Sequence, residues 1–246
     1  MPAIDPVMQA RHDLATALRW AARHALNEGV CNHFSMAVPG TEDRFLINPQ
    51  GLHWSEITPD DLVMTDPAGN IIAGRHAVEP TAFYIHGRIH LGNPRAKVVL
   101  HTHMPYATAL TTLQSGRIEM CTQNAFRFWK RVAYDEVYNG LVLDNEEGDR
   151  ICRQMDGKEI LLLRNHGVIV TGTTVARAYD DLYYLERAAM VQVLAMQTGR
   201  PLEIIPTQIV ERTTRQMAGE SQQADLHFEA LKRLLDRDEP GWRGTA

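Results

Sequence analysis

Between Phe34 and Ile72 the chain is cut into strand-length pieces by closely spaced turn residues, and this punctuation restricts the fold more than any other feature. Phe34 to Val38 stops at Pro39-Gly40, and Arg44 to Ile47 stops at Asn48-Pro49-Gln50-Gly51. Asp66-Pro67-Ala68-Gly69-Asn70 then separates Leu62 to Thr65 from Ile71-Ile72. Runs this short between Gly, Pro, Asn and Asp read as strands joined by tight connections, the first pair as a β-hairpin. A TIM barrel fits the length of 246 residues, but it needs eight βα units in regular succession, which the hairpins interrupt.

Around this segment the periodicity is mostly helical. Leu14, Leu18, Ala21, Ala22, Ala25 and Leu26 mark an amphipathic helix over Val7 to Asn27, with Gly29 as its stop. Thr58-Pro59-Asp60-Asp61 starts a turn of helix, and Pro80 to Leu91 is helical with its proline in the first turn. Lys97 to His103 reads as a buried strand, Pro105 to Thr112 as a helix, and Ile118 to Gln123 and Val132 to Tyr138 as strands. A helix over Asp149 to Gln154 precedes a second buried strand, Glu159 to Leu163, which runs through Arg164-Asn165-His166-Gly167 into Val168 to Val170. Thr173 to Gln197 is the longest periodic helix, and one more helix spans Gln208 to Leu235 with a break near Gly219. The sum is an α/β fold, a sheet of short strands sandwiched by helices. One domain over 1–246 is expected, with 206–246 as a C-terminal helical extension.

Lys and Arg total 25 against 30 Asp and Glu, a net charge of −5, which argues against a nucleic-acid or acidic-membrane binder. No apolar run approaches the roughly 20 residues that cross a bilayer, and the N-terminus lacks the basic start and apolar stretch of a signal peptide. Cys31, Cys121 and Cys152 are odd in number, far apart and in no CxxC pair, so a reducing cytoplasm is the expected location. The unusual count is 11 histidines. Histidine is both the commonest metal ligand and the side chain that titrates near neutral pH.

His101 and His103 stand two apart at the end of a strand, so their rings leave one face, as metal ligands would. In an isolated HxH one ring equally well caps the strand while the other bonds a neighbour. His166 follows the second buried strand, and strand ends are where sites open on sheets. Three converging imidazoles suit zinc, manganese, iron or cobalt and leave a position free for substrate. His86 and His90 are i and i+4 on the preceding helix and share a face. They read as an alternative metal pair, or as a partly buried face with His90 exposed and His86 serving as an acid or base.

The order GVCNHFS, FLINPQG, a segment ending IHGRIH, VVLHTHMPYATAL and LLLRNHG before a long helix resembles the class II aldolase/adducin family, over about Ala10 to Gln197. The resemblance implies a three-layer α/β/α sandwich on a mixed, largely antiparallel sheet. It also implies a homotetramer with active sites at subunit interfaces and one divalent metal per subunit, zinc, manganese or iron, on His101, His103 and His166.

Departures from the family's sugar-phosphate aldolases narrow the chemistry. Those enzymes carry a catalytic acid four residues before the helix histidine, where this chain has Ala82. Glu79, about a turn earlier, reads equally as a helix-start carboxylate and as a catalytic group beside His86. The family's phosphate-holding positions correspond here to Asn32-His33, Gln50-Gly51 and Pro80-Thr81, where larger side chains block close backbone approach. The pocket is therefore expected to bind a small carboxylic acid, hydroxy, oxo or aromatic, through Asn32, His33, Ser35, Gln50, Gly51 and Thr81, with Trp54 lining it or in the core. The family's proton-donating tyrosine has no counterpart in Cys121-Thr122-Gln123-Asn124, and the nearby Tyr106, Tyr134 and Tyr138 read as packing rather than as proton donors. The expected function is a divalent-metal-dependent lyase, a decarboxylase or non-phosphate aldolase working through a metal-stabilised enolate. A non-haem iron oxygenase on the same histidines and a non-catalytic adducin-like binding module are the alternatives.

Overall fold

The computed structural model describes residues 5–41, 43–218 and 222–244. Helix α1 (Pro6–Arg23) starts with Asp5, whose carboxylate accepts from the Met8 amide at 3.1 Å, and with Pro6, whose missing N–H is no loss in a first turn. It ends at Arg23 rather than Asn27, because Ala25 already takes left-handed backbone with φ 54°. The hairpin follows as β1 (His33–Ala37) and β2 (Phe45–Ile47), then a short 3-10 turn at Pro59–Asp61, β3 (Val63–Thr65) and β4 (Ile71–Ala73). Next come α2 (Pro80–Gly92), β5 (Val98–Thr102), α3 (Pro105–Thr111), α4 (Gln123–Phe126), β6 (Val132–Asp135) and α5 (Asn145–Gln154). The remainder is β7 (Ile160–Leu163), β8 (Gly167–Gly172), α6 (Val175–Met196), α7 (Thr207–Ala218) and α8 (Gln223–Asp238).

The strands form one sheet in the order β4-β3-β2-β1-β5-β8-β7-β6. Every pairing is antiparallel except β6 with β7, so the sheet is mixed and largely antiparallel. Successive strand residues face opposite sides, and the core divides accordingly. Val98, Leu100, Val168 and Val170 pack with Leu14 and Leu18 of α1 and Leu182 and Leu185 of α6. Val99, Leu161, Leu163 and Ile169 pack with Ile85 and Ile89 of α2 and Ile151 of α5. Helices thus cover both faces, giving the α/β/α sandwich. Because β1 pairs with β5 as His33 opposite His101 and Ser35 opposite Val99, both β1 side chains lie on the α2 face. Trp54 belongs to the core, fully buried with its ring 4.6 Å from Phe34.

One strand expectation fails. Ile118 to Gln123 is not a strand, because its backbone finds partners outside any ladder. The Ile118 amide donates to the Tyr134 hydroxyl at 3.1 Å, and Gln192 of α6 accepts from the Glu119 amide at 2.9 Å. The tail holds two helices, one on each side of the expected break; α8 lies against α1 and α6, and α7 against α4. The break expected near Gly219 lies outside the described residues. Among those residues no helix is long and apolar enough to cross a membrane.

Candidate metal centre

His101 and His103 leave the end of β5 on the α2 face, and the turn between β7 and β8 brings His166 to meet them. The ring centroids lie 5.1 Å apart for His101 and His103, 4.9 Å for His101 and His166, and 4.8 Å for His103 and His166. One ring nitrogen from each falls within 4.8 Å of the others, close enough for one ion to bridge all three. The turn reaches this far because Asn165 adopts φ 54° and Gly167 has no side chain. A Cβ at Gly167 would stand 2.5 Å from the Thr102 carbonyl oxygen and 2.7 Å from Cδ2 of His103.

The surroundings of these rings suit metal binding. His101 Nδ1–H donates to the Val168 carbonyl at 3.0 Å, leaving the Nε2 lone pair free. His103 Nδ1–H donates to the carboxylate of Glu28, and its Nε2 is buried without a partner. Burial, reinforced by His166 and His103, pushes His101 well below the ordinary histidine range. Burial and then His103 take His166 down to about 4. His101 and His166 are thus held toward the neutral form that binds metal, and the orphaned His103 Nε2 is the atom a cation would satisfy.

A second histidine group lies behind the first. The Ser35 hydroxyl sits 2.6 Å from His86 Nδ1 and 2.8 Å from His90 Nε2, while His90 Nδ1–H donates to the Ala96 carbonyl at 2.7 Å. One bond fixes the next. His90 must carry its proton on Nδ1, so Ser35 donates to Nε2, and His86 must donate from Nδ1 to the serine oxygen. This leaves His86 Nε2 bare, buried and unpartnered. His90, expected to be exposed, is only 8% accessible and stacks on Phe45 at 4.6 Å. The pair does not form an alternative metal site, because the serine bridges the two rings where an ion would sit.

His33 joins the two groups, with its ring 6.3 Å from His101 and 5.8 Å from His86. Its Nε2 lies 3.0 Å from Glu79. The His33 hydrogen bond, against the opposing effect of burial and with help from Thr81, pulls Glu79 down to about 2. Glu79 also caps α2, accepting from the Ala82 amide at 3.1 Å. It therefore touches the site through His33, with no backbone shift. Ala82, where the aldolases place their acid, is fully buried.

The expected pocket residues divide. Asn32 is buried at φ 73°, and its side-chain oxygen accepts from the His103 amide at 3.3 Å. Ser35 is fully buried, with its hydroxyl engaged by the two imidazoles of His86 and His90. Thr81 donates to Glu79. Gln50 and Gly51 form an exposed turn after β2, at the sheet end where β1 begins, and make no side-chain hydrogen bond to the three ligands among the described residues. One neighbour has no signal in the sequence: Glu28 pairs with His103, 75 positions away. The ring of Tyr138, expected to pack rather than to donate a proton, lies 6.5 Å from His166.

Residues 12–193 match the family model described as Class II Aldolase and Adducin N-terminal domain. The decarboxylase NovR of Streptomyces niveus is 32% identical, across 93% of this chain and 86% of that protein. The 4-hydroxy-3-prenylphenylpyruvate oxygenase/4-hydroxy-3-prenylbenzoate synthase of Streptomyces roseochromogenus is likewise 32% identical, across 93% and 83%. Among solved structures, an aldolase II superfamily protein from Pseudomonas syringae superposes with a TM-score of 0.91 at 31% identity, over 98% of both chains. The histidine-bearing sheet and these likenesses lead to one conclusion: the chain belongs to the class II aldolase/adducin family.

Proposed function

We propose that this protein is a divalent-metal-dependent carbon–carbon lyase, of the decarboxylase or non-phosphate aldolase type, acting on a small hydroxy, oxo or aromatic carboxylic acid. The convergence of His101, His103 and His166, with tautomers set by Val168 and Glu28, carries the reading. A divalent cation bound there would supply Lewis acidity for breaking a carbon–carbon bond. His101, His103 and His166 would each hold it through one ring nitrogen. His33, clamped at Nε2 by Glu79, places a hydrogen-bonding ring beside the ligands, and its Nδ1 is buried without a partner. That nitrogen is where this chain would accept a hydrogen bond from a substrate hydroxyl or take up a proton.

Decarboxylation needs no prior removal of a proton, so it tolerates Ala82 in place of the aldolase acid better than aldol cleavage does. A relative that is a decarboxylase supports the same direction. Supply of zinc, manganese or iron as the ion, and assembly as a cytoplasmic homotetramer, complete the proposal on family grounds. The test is a screen of hydroxy, oxo and aromatic acids on metal-loaded protein, following carbon dioxide release and oxygen uptake together. Carbon dioxide without oxygen uptake, lost in His101→Ala, is expected. Oxygen uptake confined to the iron-loaded protein would select the oxygenase chemistry that the second relative is named for. Absence of stoichiometric metal would favour a binding module.

A further inference from the structure

We infer that Glu28 is a positioning residue for the metal, acting through His103; this rests on the metal-centre reading above. The three candidate ligands are supported unequally. His101 leans on a neutral backbone carbonyl, His103 on the Glu28 carboxylate, and the His166 ring has no hydrogen-bond partner among the described residues. A carboxylate accepting the outer N–H of a ligand histidine fixes its tautomer, aims its ring and raises the basicity of the nitrogen facing the ion.

An exposed carboxylate near a histidine is commonly a surface pair worth little, and the Glu28 side chain is 63% accessible. What separates this pair from such contacts is how firmly its backbone is held. Glu28 lies in the connection from α1 to β1, which turns through left-handed residues at Ala25, Gly29 and Asn32, with φ 54°, 57° and 73°. The Cys31 amide closes back on the Glu28 carbonyl at 2.9 Å, and Asn27 Nδ2 donates to the Gly29 carbonyl at 2.9 Å. Asn32 then ties the end of this loop to the backbone of His103 itself, and Asn48 ties Asn32 and Phe34 to β2. The segment carrying the carboxylate is thus fastened to the residue it orients. The other ring nitrogen of His103 is buried without a partner, so the fixed tautomer leaves a lone pair beside His101 and His166.

Because the Glu28 side chain is mostly in solvent, its removal spares the core, and the effect is readable on metal binding alone. The experiment is a competition between a chromophoric chelator and full-length protein for Zn2+, run on wild type, E28A, E28Q and the exposed-acid control E203A. Imidazole 15N shifts of the metal-free forms report the tautomer. The expected result is a zinc affinity about 10–100-fold weaker in E28A, a smaller loss in E28Q, which keeps an acceptor without charge, and no change in E203A. His103 should carry its proton on Nδ1 in wild type and divide between nitrogens in E28A. Equal affinity in E28A and wild type, or an unaltered tautomer, would overturn the role of Glu28 while leaving the metal centre intact. A wild type that takes up no zinc would bring down the metal reading, and this inference with it.

Discussion

The two histidine groups of this site are built from the same side chain and meet at His33, yet they are arranged for different ends. In the outer group each ligand presents a nitrogen toward the other two, and its outward N–H, where it has a partner, is given to a fixed acceptor. In the inner group a serine hydroxyl stands between two rings and consumes the nitrogens that would otherwise face each other. The difference shows that proximity of imidazoles does not make a metal site. What decides is which nitrogens are left with free lone pairs after the neighbouring hydrogen bonds have been made.

The sharpest way to break this comparison is to remove one member from each side. His101→Ala should abolish stoichiometric metal binding and turnover together, as seen by metal analysis and by product release. Ser35→Ala should do the reverse. It leaves two buried ring nitrogens without their partner, at about 1–3 kcal/mol each, so urea unfolding should show a loss of about 2–6 kcal/mol while the zinc affinity of the folded protein changes little. Weak zinc binding in a fully folded Ser35→Ala protein would mean that the inner group shapes the ligands directly.

A smaller effect concerns pH. Burial, against the raising influence of the Ala96 carbonyl and with a lowering one from Lys97, takes His90 down to about 4. Its folded value therefore lies below its unfolded value near 6.5, and the unfolded chain binds more protons between them. The stability from keeping His90 neutral is complete above about pH 6.5 and drains away as pH falls toward 4, at up to about 1.4 kcal/mol per pH unit. Denaturant titrations across this window should show that slope in wild type and a shallower one in His90→Gln. An identical slope in both would place the acid sensitivity elsewhere.

Legibility in the sequence followed the range of the interaction. The strands ending in His101, His103 and His166 were readable because each signal is local: an apolar run, then a turn or an HxH step. The three-layer sandwich came from the resemblance carried by those same motifs. Ser35 was read as a pocket residue because nothing near it shows that its partners wait 51 and 55 positions later on α2. Glu28 was missed for the same reason. Ile118 to Gln123 looked like a strand by composition, but Gln192 and Tyr134, side chains from distant elements, satisfy its backbone instead. His90 looked exposed because helical spacing gives a face without saying which strand covers it.

Whether His101, His103 and His166 hold one ion is decided by metal analysis of protein stripped with chelator, reloaded and desalted, comparing wild type with H101A/H103A/H166A. One divalent ion per chain in wild type and none in the variant is the expected result. A wild type without bound metal, or a variant that retains it, would contradict the account.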